Sequence, residues 1–159
     1  MAVSLCPITP EDEAFLFEVY ARNRMPELAR VPWTDDQKHA FLTFQFQAQH
    51  QYYREEYAGA AFHLIVRGDT PLGRLYVDRR DDEIRILDVT LLPAYRGQGI
   101  GSRLIRALLD EAEQAGKPVR IYVETYQPSV HLFERLGFAK IEDHGVSYLM
   151  EWRPAAAGD

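Results

Sequence analysis

Residues 96–109 read RGQGIGSRLIRALL, three glycines at 97, 99 and 101 running straight into an amphipathic stretch. Leu104, Ile105, Leu108, Leu109 and Ala112 fall at three- and four-residue steps, which is a helix with one buried face. Gly116 suits its C-terminal cap, and Pro118 stops it. On either side lie two apolar segments, EIRILDVTLL at 83–92 and VRIYVE at 119–124, that read as strands. Strand, crossover helix and strand make a parallel pair, which fixes the class as α/β. The glycines carry a chemical meaning too. Without Cβ atoms they let backbone N–H groups come close to a ligand. A helix N-terminus adds unpaired donors and a partial positive charge, and Arg96 adds a guanidinium suited to phosphate. Together these describe a pyrophosphate cradle.

Outward from this segment, the rest of the chain supplies a mixed sheet. Val3–Ile8 is a first strand. Thr9 or Pro10 opens a helix with Glu11, Asp12 and Glu13 in its first turn, where the dipole favours acids. Its apolar face is Phe15, Leu16, Val19 and Tyr20. Pro26 and Pro32 bracket an irregular link. Thr34 caps a second helix running to about Tyr57. That helix is dense in aromatic rings at two adjoining stripes. They read either as a wide core-facing surface or, with Gln45 and Gln49, as the wall of a pocket. Ala61–Arg67 and Leu72–Arg79 form a hairpin around Gly68-Asp69-Thr70-Pro71, and Arg80-Asp81-Asp82 turns into the 83–92 strand. Pro128–Leu136 is a short helix ending at Gly137. Phe138–Ile141 and Val146–Trp152 close the chain as a hairpin. The expected architecture is a single-domain mixed sheet of about six to seven strands flanked by about four helices, spanning 1–153. Residues 154–159 read as a disordered tail.

Composition narrows the function. Of 159 residues, 47% are hydrophobic and 26% charged, so the chain buries a full core. Lys and Arg number 18 against 24 Asp and Glu, for a formal charge of −6, which disfavours a nucleic-acid partner. Cys6 is the one cysteine, so no internal disulfide or cysteine metal cluster forms, and a cytoplasmic setting fits. No apolar run spans a membrane, and the start lacks the pattern of a signal peptide. Two familiar glycine loops fail to match. A P-loop needs Gly-Lys-Ser/Thr, which is absent. A dinucleotide fingerprint is nearly met by Gly97, Gly99 and Ser102, with Glu124 closing the next strand. Yet Pro93-Ala94-Tyr95-Arg96 intrudes where that motif wants a tight turn, and the hairpins do not make a doubly wound sheet.

Arg96-Gly97-Gln98-Gly99-Ile100-Gly101 instead resembles the Q/R-x-x-G-x-G/A signature of the GCN5-related N-acetyltransferases (GNAT family). Leu91-Leu92-Pro93 is similar to that family's V-x-P approach. Residues 127–138, QPSVHLFERLGF, are similar to its N-P-A-x-x-L-Y-E-R-L-G-F block. The resemblance is sharpest over 83–140. It implies the acyltransferase fold, with the 83–92 and 119–124 strands splaying around the pantetheine arm of acetyl-CoA as cosubstrate, and no metal. Backbone groups of Val89, Leu91 and Leu92 would hold that arm, one N–H polarising the thioester carbonyl. Arg96, Gly97, Gln98, Gly99, Ile100, Gly101 and Ser102 would hold the pyrophosphate, with Gln127 and Phe133 as further cofactor contacts. Arg103 and Arg106 either meet outer phosphates or form a solvated helix face.

The reaction this implies is attack of an amine on the acetyl thioester. Such an amine is mostly protonated at neutral pH, so a base is useful. Asp88, in the apolar run Ile86-Leu87-Asp88-Val89, and Glu124 are the candidates, each with a plainer reading as an arginine partner or an exposed strand end. His131 and His63 read as a surface and a half-buried histidine. Two departures stand out. Gln127 replaces the family's asparagine, and Phe133 replaces the tyrosine assigned as the acid that protonates the leaving thiolate. Either the thiolate leaves unassisted, which a thiol pKa of about 8.5 allows, or another donor such as Tyr126 or Tyr148 acts, or transfer is slow or lost. Phe133 also keeps open a second reading, a non-catalytic acyl-CoA-binding sensor or regulatory protein. Trp33, Gln45, Gln49, Tyr52, Tyr53 and the Val146–Tyr148 region suggest an aromatic-walled groove for an amine-bearing small molecule or peptide. Dimers are frequent among relatives, and a homodimer is open.

Overall fold

A computed structural model describes residues 2–155. In order, the elements are β1 (Val3–Pro7), α1 (Glu13–Arg24), α2 (Asp35–Glu56), β2 (Ala61–Arg67), β3 (Thr70–Arg79), β4 (Ile84–Leu91), α3 (Ile100–Ala115), β5 (Val119–Glu124), α4 (Ser129–Arg135), β6 (Ala139–Asp143) and β7 (Ser147–Trp152). Short 3₁₀ turns occupy Pro10–Asp12, Met25–Leu28 and Pro93–Tyr95. The seven strands are ordered β1-β2-β3-β4-β5-β7-β6. β5 runs parallel to β4, as the crossover helix requires, and antiparallel to β7, which lies between β5 and β6. The mixed sheet with four α-helices is the architecture expected from the element order.

Local chemistry explains where the helices begin. Thr9 and Asp12 cap the first turn reciprocally, Thr9 N–H donating to the Asp12 carboxylate at 2.8 Å. Thr34 does the same for α2, accepting from Gln37 N–H at 3.1 Å while Gln37 Oε1 accepts from Thr34 N–H at 2.9 Å. Gly116 ends α3 in the left-handed conformation, φ +67°.

The chain divides into two compact units. Among the described residues, the first holds 2–75 and 89–96. Its core is Leu16, Tyr20, Leu28, Leu42, Phe46 and Leu64. Only Leu42 and Phe46 of α2 are fully buried, whereas Phe44 is 72% exposed and Tyr52 52%. The wide core-facing reading of α2 is therefore corrected. The helix buries one narrow stripe and leaves rings in water, because a solvent-facing helix needs only a few apolar positions per turn to dock.

Among the described residues, the second unit holds 76–88 and 97–155. Ile105, Leu108, Leu109 and Ala112 of α3 are buried, as are Val119, Ile121 and Val123 of β5. On the opposite side of β5, Arg120 bridges the buried carboxylates of Glu83 (3.3 Å) and Glu151 (2.8 Å), and Arg85 completes Glu83 at 2.9 Å. These buried acids are paired, which is what keeps charge tolerable at low exposure. At the C-terminus, Ala155 N–H donates to Glu113 at 3.0 Å. The remainder of the expected 154–159 tail, residues 156–159, lies outside the described residues. Among the described residues, no helix is long and apolar enough to cross a membrane.

Candidate active site

The glycine turn lies in the second unit and has the conformation that only glycine adopts freely. Gly97 has φ +73° and Gly99, the N-cap of α3, φ +78°. A Cβ at 97, 99 or 101 would meet no atom within 4 Å. The turn therefore opens onto free space. Gly99 offers no side-chain cap, and the first hydrogen bond of the helix is Arg103 N–H to Gly99 O at 3.1 Å. The N–H groups of Ile100, Gly101 and Ser102 thus have no intrahelical acceptor. Arg96, Arg103 and Arg106 are exposed and form no ion pair among the described residues. Free donors, a Cβ-free surface and uncommitted guanidiniums fit a pyrophosphate.

The end of β4, in the first unit, is shaped by a feature absent from the sequence reading. The hairpin closes with Arg80 N–H to Glu83 O at 2.8 Å, and its far end has Leu92 N–H to Leu72 O at 2.8 Å. The two pairings are one residue out of register, so β4 carries an extra residue, a β-bulge. Gly73 marks its place. A Cβ there would lie 2.1 Å from Thr90 O and 2.8 Å from Leu91 Cα. The bulge is therefore at Thr90–Leu91, opposite Gly73, where only a glycine admits the partner backbone. Leu91 O accepts from Asn23 Nδ2 of α1 at 3.1 Å. Of the three backbone positions assigned to the cosubstrate, Leu92 N–H is already committed within the hairpin.

The two candidate bases differ in placement. β4 pairs with β5 only at Ile84–Ile86 with Val119–Ile121, and both strands continue beyond. By alternation Asp88 shares the face of Ile84 and Ile86, whereas Glu124 shares the face of Arg120 and Tyr122. They lie on opposite faces of the sheet. Arg85, a possible partner of Asp88, is held by Glu83 and stands 5.3 Å from the Tyr122 ring centre. Glu124 accepts a hydrogen bond from the Tyr126 hydroxyl. His131 is exposed beside Glu134 at 3.5 Å. Gln127 is half-buried, its N–H donating to Glu124 O at 3.0 Å. Phe133 is 1% exposed and packs edge-on against Phe138 at 5.1 Å. Its ring is part of the core.

The expected acceptor wall is partly spent on internal bonds. Gln45 accepts from the Tyr20 hydroxyl at 3.2 Å, and Gln49 from Arg74 at 2.9 Å. Trp33 leans on Phe41, and Tyr52 packs against Tyr53 and Tyr57. Val146 is 78% exposed. A cavity of about 470 Å³ opens elsewhere in the first unit, lined by Arg22, Met25, Pro26, Asp35, Lys38 and Pro93. Composition did not single these residues out.

His50, stacked on Phe46 at 5.4 Å, has its pKa lowered, chiefly by burial and against the pull of Glu13; Arg54 and Arg74 act in the same direction as burial. A histidine that is harder to protonate when folded costs nothing above its unfolded pKa of about 6.5. Below that value the unfolded chain takes up the proton first. Stability measured by urea melts falls as the pH drops from 6.5, and His50→Gln lessens that fall.

A sequence profile described as "Acetyltransferase (GNAT) family" matches residues 22–138. The chain belongs to this acetyltransferase family. Among curated proteins, it is 30% identical over 129 residues to a mycothiol acetyltransferase of Corynebacterium glutamicum (strain R), covering 80% of this chain and 37% of that protein. It is 39% identical over 82 residues to the mycothiol acetyltransferase of Corynebacterium efficiens, covering 50% and 28%. The chain thus spans about a third of the length of these relatives. In fold it is similar to the PaiA N-acetyltransferase of Thermoplasma acidophilum, solved in complex with coenzyme A. The TM-score is 0.73 at 17% identity, over 96% of this chain and 99% of that one. An acetyltransferase from Thermus thermophilus gives 0.68 at 17%, over 98% of both chains. The family's cosubstrate is acetyl-CoA. Among the described residues, no cluster of three or more potential metal ligands occurs.

Proposed function

We propose that this chain moves an acetyl group from acetyl-CoA to the amine of a small molecule or peptide by direct attack. The observation that carries the reading is the glycine turn at 97–101, open to a ligand, with free helix donors and three arginines that form no ion pair among the described residues. Gly97–Ser102 and Arg96 hold the pyrophosphate. Val89 and Leu91 offer backbone groups to the pantetheine arm. The bound cosubstrate supplies an activated acetyl carbon. Holding that carbon next to the amine supplies most of the rate, since proximity alone is worth up to about 7–11 kcal/mol.

Glu124 takes the amine proton, directly or through water. The support is its hydrogen bond from Tyr126, which keeps the carboxylate aimed and leaves the pair able to pass a proton. As the nitrogen–carbon bond forms and the carbon–sulfur bond breaks, Tyr126 gives its proton to the sulfur and recovers one from Glu124. Phe133 has no proton to give, so the tyrosine's role moves to Tyr126. Asp88 is the alternative base, from the other face. Tyr126→Phe is expected to lower kcat about 10- to 100-fold with KM for acetyl-CoA little changed. Free-thiol release from acetyl-CoA, followed over an amine panel that includes the acceptor of the mycothiol acetyltransferases, tests the activity itself. Acetyl-CoA binding without thiol release for any amine would favour the sensor reading, which the buried Phe133 keeps alive. A cytoplasmic site of action is supported by the free, exposed Cys6.

A further inference from the structure

A β-bulge leaves part of the backbone outside the ladder, and a carbonyl left so needs another partner. Leu91 O finds one in Asn23. The Asn23 carboxamide donates to Val19 O at 2.8 Å, one turn back in α1, and to Leu91 O at 3.1 Å. Both partners are carbonyl oxygens, which only accept, so the nitrogen must face them and the amide orientation is fixed by chemistry. The side chain is half-buried. Gly73 admits Thr90 and Leu91 with no room for a methyl. The bulge is thus fixed by two devices, a missing side chain on β3 and an amide clamp from α1.

We propose that Asn23 is the positioning residue for the acyl donor. By clamping Leu91 O to the end of α1, it sets where the Val89–Leu91 backbone presents its groups to acetyl-CoA. The inference rests on the acetyl-CoA reading above. It does not make Asn23 a catalytic residue, since it acts through Leu91.

Asn23→Leu keeps the size and removes both donors. Asn23→Asp keeps the shape and, ionised, turns an acceptor toward two carbonyls. In both, Kd for acetyl-CoA by titration calorimetry is expected to rise about 10-fold, the worth of about one misplaced backbone hydrogen bond. KM for acetyl-CoA rises with it, while KM for the amine stays within about 2-fold. The melting temperature is read alongside. A purely structural Asn23 lowers the melting temperature and leaves Kd at the wild-type value, and that result overturns the proposal. If Asn23→Leu does not fold, Asn23→Asp gives the same decision. Wild-type protein that fails to bind acetyl-CoA overturns the underlying reading, and this inference with it. Wild type and variants that bind equally well overturn the role of Asn23 alone.

Discussion

Gly101→Glu is expected to abolish acetyl-CoA binding without harming the fold. Gly101 sits in the first turn of α3 with ordinary helical backbone, and a Cβ there meets nothing within 4 Å. Replacing a helical glycine removes a conformational cost of about 0.5–1 kcal/mol. An acid in the first turn meets the positive end of the dipole, worth about 0.3–1 kcal/mol more. Stability therefore stays level or rises. Binding moves the other way. The carboxylate stands where the diphosphate would sit, and like charges so placed cost several kcal/mol, which is about 100-fold or more in Kd. Titration calorimetry and a thermal melt on the same sample read both signs. A stable variant that binds as tightly as wild type would remove the phosphates from this turn.

Gly73→Ala is expected to have the largest effect on stability. The new methyl would lie 2.1 Å from the Thr90 carbonyl oxygen and 2.8 Å from Leu91 Cα, both backbone atoms in a paired strand. Neither yields as a flexible side chain would, so the cost belongs at the upper end of overpacking, about 3 kcal/mol. For a chain of this size that is roughly 6–12 °C in melting temperature. The damage falls on the bulge. Any acetyl-CoA binding that survives should be weaker than a general loss of stability accounts for. A melting temperature within a degree or two of wild type would show that the bulge is not where the register places it.

These two glycines mark what was and was not legible in the sequence. Gly101 belongs to a run of three at the start of an amphipathic helix, and periodicity, capping and turn chemistry all agree there. The same agreement placed α2 between Thr34 and Tyr57 and α3 between Gly99 and Gly116. Gly73 stands alone in LGRLYVDR, and an isolated strand glycine does not say which partner residue it admits. The bulge is a one-residue difference between two distant hydrogen bonds, and it is invisible without pairing. Asn23 escaped for the same reason. It lies 68 residues from Leu91 in the chain, and an asparagine near a helix end reads as capping or surface chemistry. The aromatic stripes of α2 misled differently. Ring-rich helices are usually core, but here the core took Leu42 and Phe46 and left Phe44 and Tyr52 in water. The candidate bases were legible as carboxylates on the two strands that flank α3, but not their opposite faces, which depend on the register of β4 against β5.

The central proposal is that residues 96–102 hold the phosphates of coenzyme A. Thermal melting with acetyl-CoA, free CoA, NAD and ATP at equal concentration tests it most directly. At about 100 times its Kd a ligand adds roughly 2.7 kcal/mol, or several degrees for a chain of this size. Acetyl-CoA and CoA are expected to raise the midpoint by that amount while NAD and ATP leave it unmoved. No shift with either CoA species, or an equal shift with NAD, would contradict it.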